Sequence, residues 1–525
     1  MKIEMYSGGT GYKMTPEMEL YTLVCASMLT PKYYVPDTND QLNRIKARIK
    51  DVDPYFVAQL AVYAREKMYL RTIPQVLTVE LAKRTGGQLI RKLSSRVIQR
   101  ADEITSMLEY YVKANKITPR AVEDRGDHTQ HKVLYKLSNP LRKGIADAFN
   151  KFDEYQFAKY NRKSDITLLD ALRIVHPKPA DRVKSELFKK IKENDLAVPY
   201  TWEVELSRAG QDGRDKAEVW TELIESGKLG YMAMLRNLRN FMQTGVSEAT
   251  LQVVADRISD RGQVKRSKQL PFRFLSAYRM LAGGPVQRRG YWNTQHEIDG
   301  ARVDHLFLPV ILDALEVAAL HAADNIPAFK DADVLMASDV SGSMQQTVSP
   351  RSIVQSFDIG ALLMMLAQTK CNSATVGMFG DRWKVLDDLP RERVLQATNE
   401  IHRREGEVGY STHGYKVIQW ALNNKIKYDR VMIFTDCQMY GMDTRWGRRG
   451  EQGDIVGMWN TYKSFCPDSR LYLFDLNSYG QSPMPLDVKN NGVFLITGWS
   501  DKIFDALASL EQGEGILNNI EEIIV

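Results

Sequence analysis

The apolar positions of the chain change period near residue 331. Before that point they recur every three to four residues. In PYFVAQLAVYAREKMYL, residues 54–70, Phe56, Leu60, Tyr63, Ala64 and Tyr69 fall near one helical face. The same period marks 78–84, 87–115, 139–152, 167–176, 217–226, 230–245 and 272–283. Pro54, Pro74, Pro119, Pro177, Pro179 and Pro271 stand near the boundaries, where helices start and stop. No strand is expected before residue 331. Many helices joined by short loops predict a helical-repeat solenoid with degenerate repeats; an irregular helical bundle is the plainer alternative.

From residue 331 the pattern becomes strand and helix in turn. Strands are expected at 333–339, 373–380, 383–388, within 428–439, and at 470–477 and 492–498. Helices are expected at 349–369, 391–401, 414–424 and 501–512. Nearly continuous apolar strands alternating with helices predict a doubly wound α/β sheet covered on both faces. Ligands of such sheets sit beyond the carboxyl ends of the strands. Two strands end there in a carboxylate, Asp339 and Asp436.

The first of these ends reads LMASDVSGSMQQ, residues 335–346. Asp339, Ser341 and Ser343 are spaced by two and would bring three oxygens together. Hard cations such as Mg2+ take oxygen ligands of this kind. A Ser/Gly turn leaving a strand uses the same residue types.

Charge sharpens the division. The whole chain carries +6, but residues 1–330 carry +12 and residues 331–525 carry −6. A basic part that meets a polyanion and an acidic part with another task are expected. The basic residues concentrate at 257–292, with nine Lys/Arg and one acid, Asp260. Phe272, Phe274, Tyr278, Tyr291 and Trp292 interleave with them. Cations neutralise phosphates and aromatic faces stack unpaired bases. The plainer reading puts the aromatics in a core and the cations on a solvated face. Lys265, Arg266, Lys268, Arg273 and Arg279 are the RNA-contact candidates of this stretch. Arg142 and Lys143, near a helix start, and Arg236 and Arg239, three apart on one face, join them. Arginine suits phosphate because its planar fork makes paired bonds.

Other chemistry is poorly represented. The four cysteines, Cys25, Cys371, Cys437 and Cys466, form no CxxC pair. No apolar run approaches membrane-spanning length, and MKIEMYSGGTGYK lacks the apolar stretch of a signal peptide, so a cytoplasmic location is expected. No Ser/His/Asp, Cys/His or HExxH arrangement is evident. Gly8-Gly9-Thr10-Gly11 lacks the Lys-Ser/Thr of a phosphate loop. A single cation is a poor basis for two-metal phosphate chemistry, so an enzyme is not expected.

The arrangement of Asp339, Ser341, Ser343 and Asp436 resembles the metal-ion-dependent adhesion site of von Willebrand factor A domains. That site needs a further hydroxyl before a helix. VGYSTHGYKVIQWA offers Ser411 and Thr412, and the spacing to Trp420-Ala421 in the family favours Thr412. A haloacid-dehalogenase site would need an Asp where Ser341 stands. The helical part is similar to the TROVE module in YAREKMYLRTIPQVLTVELAK at 63–83, NPLRKGIADAFNKF at 139–152, LDALRIVHPKP at 169–179 and AMLRNLRNF at 233–241. TROVE followed by an A domain is the pattern of the Ro autoantigen family.

That resemblance implies a HEAT-like helical-repeat ring, residues 1–330, closed by a von Willebrand A domain, residues 331–525, with Mg2+ or another divalent cation at the A-domain site. It implies a monomer that binds small noncoding Y-like RNAs on its outer surface and single-stranded 3′ ends of structured or misfolded RNA in a central hole. In bacteria, relatives work with exoribonucleases in RNA maturation and decay. Lys159, Lys163 and His176 fall on the family's Y RNA positions. The second reading is an adhesion module whose metal captures a partner's carboxylate, with RNA secondary. The insert 439–454 follows Asp436 and is expected to be a lid or a surface loop.

Overall fold

A computed structural model describes residues 2–4, 10–27, 40–117, 120–123, 130–133, 137–161, 164–283, 303–348, 352–439, 454–486, 488–513 and 515–525. Residues 440–453 of the insert 439–454, and Lys163, fall outside the described residues. The chain divides into two compact units. One comprises Pro16–Val204 with Glu514–Val525, the other Met1–Thr15 with Glu205–Gly513.

The first unit is built of helices whose starts are written in local side chains. Asp53 accepts the Tyr55 and Phe56 amides and Pro54 opens the helix Pro54–Glu66. Asp153 and Thr167 form reciprocal capping boxes with Gln156 and Asp170. The expected helix 87–115 is two helices, Gly87–Val97 and Asp102–Ala114. The break is held by Glu103, buried, which accepts the Gln99 and Arg100 amides at 2.8 and 3.1 Å and pairs with buried Arg65 at 2.8 Å. Apolar period runs through such a break because the residues that make it are polar. The C-terminal segment packs here too. Ile520 is buried, and Gln59 donates to the Glu521 carbonyl and, at 3.1 Å, to that of Ile523.

The expectation of no strand before residue 331 fails twice. Arg120–Glu123 pairs antiparallel with Gln130–Val133 in the first unit, and Lys2–Glu4 with Thr10–Tyr12 in the second. Strands of three or four residues are too short to establish an alternation.

The second unit carries a six-stranded sheet. Its order is Val493–Thr497, Arg470–Asp475, Arg430–Thr435, Phe329–Asp339, Cys371–Phe379 and Trp383–Val385, parallel except for the last pair. Val334–Asp339 is buried throughout, as a central parallel strand must be. Helices outside the A domain pack against it within this unit. Arg279, on Pro271–Ala282, forks onto Asp358 of Ser356–Gln368 at 2.6 and 2.7 Å and donates to Asn399 at 2.6 Å. Glu316, on Leu308–Ala322, accepts the Leu395 and Gln396 amides at 2.9 Å each. The body therefore crosses the charge boundary at residue 330. The expected fold class, helical repeats with a doubly wound A domain, is the one found.

Candidate functional site

The central strand carries Asp339 to the carboxyl edge of the sheet, where it is fully buried. Its Oδ1 accepts the Ser341 amide at 2.9 Å and its Oδ2 the Thr435 hydroxyl at 2.6 Å. The chain then winds into a 3-10 turn, Gly342–Gln345, that sets Ser341 Oγ 3.3 Å from Ser343 Oγ. On the neighbouring strand Arg430–Thr435 leads to Asp436, also fully buried. Its Oδ1 accepts the Gln438 amide at 3.0 Å, while its Oδ2 has no hydrogen-bond partner among the described residues.

A third loop is drawn against these two. Gly342 donates to the Tyr410 carbonyl at 2.9 Å, and His413 to that of Gly380 at 3.1 Å. Glycine is required at this approach, because a Cβ on Gly380 would stand 2.1 Å from the Gly409 carbonyl oxygen. Of the two hydroxyl candidates, Ser411 donates its amide to Asp381 at 2.8 Å, and Thr412 is the buried one. The structure thus brings the Asp339–Ser343 turn, the 410–413 loop and Asp436 to one edge.

Burial, and then the charge of Asp436, push the Asp339 carboxyl up to about 7, against hydrogen bonds from Thr435 and Ser341. Burial also raises Asp436. A cation beside both would reverse this by favouring the ionised forms. The donor set fits such an ion. It offers carboxylates and hydroxyls, one buried carboxylate oxygen is unsatisfied, and Ser343 is only half-buried at the edge. Among the described residues no cluster of three His, Cys, Asp or Glu side chains is placed to hold a metal, so hydroxyls would complete any site. Asp475, fully buried at the end of the next strand, was not singled out from sequence. Its signal was the same as for Asp339 and Asp436: an apolar run, RLYLFD, ending in a carboxylate.

The cationic candidates separate into used and free. Arg279 is only 1% exposed and its guanidinium belongs to Asp358 and Asn399, so it is not an RNA contact; a basic run cannot show which of its members points inward. Arg142 donates to the Val175 carbonyl at 3.2 Å and to Asn139 at 3.0 Å, which ties it to the end of the helix bearing His176. Lys143 and His176 are exposed, and His176 closes its helix in the left-handed conformation. Lys159 lies over the rings of Tyr155 and Tyr160 at 5.5 and 5.8 Å, and Arg100 over Tyr160 at 4.5 Å. Tyr155, 45% exposed, and Arg100 were not anticipated; Tyr155 stands four residues from Lys159, a helical spacing that points to the pair.

In the second unit Arg236, Lys265, Arg266, Lys268 and Arg273 are exposed and Arg239 is half-buried. No carboxylate lies within ion-pair distance of Arg236, Arg239, Lys265, Arg266 or Arg273 among the described residues. Arg273 lies over Phe272 at 4.7 Å. Arg236 and Arg273 lie on helices that pack together, Tyr231–Gln243 and Pro271–Ala282, and burial and then the charge of Arg236 hold the Arg273 guanidinium below its ordinary value.

Fold and site together define a helical-repeat protein joined to an A domain whose loop edge gathers oxygen donors. The TROVE domain model matches residues 20–197 and 189–289, and the Ro60 vWA domain model matches residues 333–445. The chain belongs to the TROVE-domain family of the Ro type. It is 28% identical over 345 residues to telomerase protein component 1 of Mus musculus, covering 50% of this chain and 12% of that protein. It is 25% identical over 334 residues to the RNA-binding protein RO60 of Deinococcus radiodurans, covering 56% of this chain and 59% of that one. The crystal structure of the Deinococcus radiodurans RO (RSR) protein aligns with a TM-score of 0.56 at 17% identity, over 95% of this chain and 100% of that chain, a likeness of fold. No described helix is long and apolar enough to cross a membrane.

Proposed function

We propose that the protein is a cytoplasmic RNA-binding scaffold of the Ro type, acting in RNA quality control or processing. It binds a Y-like noncoding RNA on the surface bearing Lys159 and His176. It takes single-stranded 3′ ends of structured or misfolded RNA into the opening that the family resemblance implies. The observation that carries this reading is the set of cations without counter-charge, Arg236, Arg239, Arg273, Lys265 and Arg266. Exposed cations that lack an acidic partner are left for an external polyanion. An A-form duplex hides its bases, so selection falls on unpaired ends.

Equilibrium binding tests it. A hairpin with a single-stranded 3′ tail is expected to bind at least tenfold more tightly than the blunt hairpin. The logarithm of affinity should fall with the logarithm of salt with a slope of about −0.7 per phosphate neutralised. Equal affinity for tailed and blunt RNA would sink the reading.

The A-domain edge supports a second, compatible role. Asp339, Ser341, Ser343, Thr412 and Asp436 would hold Mg2+ or a similar divalent cation, and that ion would supply an electrophilic position for a partner's carboxylate. The unsatisfied Asp436 oxygen favours this. An exoribonuclease is the partner class the family suggests. Binding rather than catalysis is proposed, and RNA incubated with the protein and Mg2+ should stay intact.

A further inference from the structure

The loop after the last strand of the sheet, Gly498–Lys502, is firmly placed. Gly498 donates to the Asp475 carbonyl at 3.1 Å, Ser500 accepts the Lys502 amide at 3.3 Å, and Asn325 donates to the Asp501 carbonyl at 3.0 Å. It presents Trp499 at the carboxyl edge of the sheet, the edge where ligands of open α/β sheets bind. The Trp499 ring meets Phe272 edge-on, with centroids 5.4 Å apart, and Phe272 carries the Arg273 guanidinium on its face. Phe272 is buried, Trp499 half-buried and Arg273 exposed. The Trp499 indole N–H is itself buried and has no hydrogen-bond partner among the described residues, so the ring face and not this group is left for a ligand. Arg236 lies on Tyr231–Gln243, a helix that packs against Pro271–Ala282, and adds a second positive charge; neither arginine has an acidic partner among the described residues.

An aromatic ring beside two uncompensated guanidinium groups has the chemistry of a single-strand nucleic-acid contact. Arginine forks take phosphate oxygens, and ring faces take bases whatever their identity. A packed arginine loses less freedom on binding than a free one, so Phe272 preorganises Arg273.

Resting on the RNA-binding reading above, we propose that the A domain itself joins the single-strand contact. Trp499 stacks an unpaired base while Arg236 and Arg273 hold the adjoining phosphates. The sheet edge that gathers the cation ligands would then also touch RNA.

Fluorescence anisotropy of the full-length protein with a labelled oligouridine tests this. Trp499→Ala should weaken binding about tenfold and Trp499→Phe should retain most of the affinity. Arg236→Ala and Arg273→Ala should each flatten the salt slope by about 0.7. An abasic strand with the same number of phosphates should bind wild type and Trp499→Ala alike. If Trp499→Ala is folded and binds oligouridine as wild type does while Arg236→Ala binds more weakly, the A-domain contact is refuted and RNA binding stands. If neither arginine nor Trp499 matters, RNA binding at this face falls with it. Should Trp499→Ala fail to fold, crosslinking wild type to 4-thiouridine RNA decides: label on the 498–502 peptide supports the proposal, and label only elsewhere overturns it.

Discussion

Asp339 and Asp436 stand at the ends of adjoining strands, both out of contact with water. Two carboxylates so buried repel each other and lose hydration, and the hydrogen bonds from Ser341, Thr435 and Gln438 recover only part of that cost. A divalent cation removes the repulsion. Magnesium at a hundredfold excess over its dissociation constant should therefore stabilise the protein by about 2.7 kcal/mol. For a unit of this size that corresponds to a rise of about 4 °C in the unfolding midpoint. Asp436→Asn should lose that rise and, without metal, be no less stable than wild type, because one of two buried like charges is gone. Differential scanning fluorimetry with and without Mg2+ checks both; an undiminished Mg2+ response in the variant would move the ion elsewhere. The strand-end carboxylates were legible because each closes an apolar run. For the hydroxyl candidate, only the family spacing favoured Thr412 over Ser411, since the contact of the Ser411 amide with Asp381 joins residues thirty apart in sequence.

Between elements, the strongest device is the buried fork of Arg279 onto Asp358, with His402 Nδ1 a further 2.6 Å from the same carboxylate. Burial alone would raise the Asp358 carboxyl, but the Arg279 charge, then His402 and the hydrogen bonds from both, outweigh it and hold the group well below the usual carboxylate range. A carboxyl depressed in this way stabilises the fold fully above its unfolded value near 4, and that stability drains away as pH falls below it. Removing one partner strands the other as a buried charge. Arg279→Met or Asp358→Asn should each cost about 3–5 kcal/mol at neutral pH, while replacing both with apolar residues should recover much of the loss. Asp358→Asn should also lose less stability than wild type between neutral and strongly acid pH. Urea unfolding at several pH values measures each. An Arg279 variant of unchanged stability and weakened RNA binding would return this residue to the ligand surface. Helix and strand periods were legible from the apolar pattern. The fork was not, because Arg279 sits among nine cations whose composition points to solvent, and only packing shows that one of them turns inward.

At the scale of the whole chain, composition changes at residue 330 while packing does not. The second compact unit begins at Glu205 and runs through the A domain to Gly513, with residues 1–15 added. Several of the contacts that cross residue 330 are polar and directional. Arg279 neutralises Asp358, Glu316 caps the start of Val394–Arg404 through two amides, and Asn325 reaches Asp505 at 2.8 Å. A fragment cut at the composition boundary would leave Asp358 and His402 without their arginine and the Leu395 and Gln396 amides without an acceptor. Water would reach these groups once the helices are gone, so the loss is that of the paired interactions and of the apolar surface buried beside them, together several kcal/mol at about 25 cal/mol per Å2 uncovered. Net stabilities of domains are only about 5–15 kcal/mol, so the losses are comparable with the whole. Residues 331–525 expressed alone are therefore expected to unfold with a shallow, poorly cooperative transition, and residues 205–513 with a sharp one at higher denaturant. Calorimetry and amide hydrogen exchange on the two fragments decide it. Equal midpoints would mean that the helices from 205 to 322 rest on the A domain without supporting it, and that the charge boundary is also the boundary of folding.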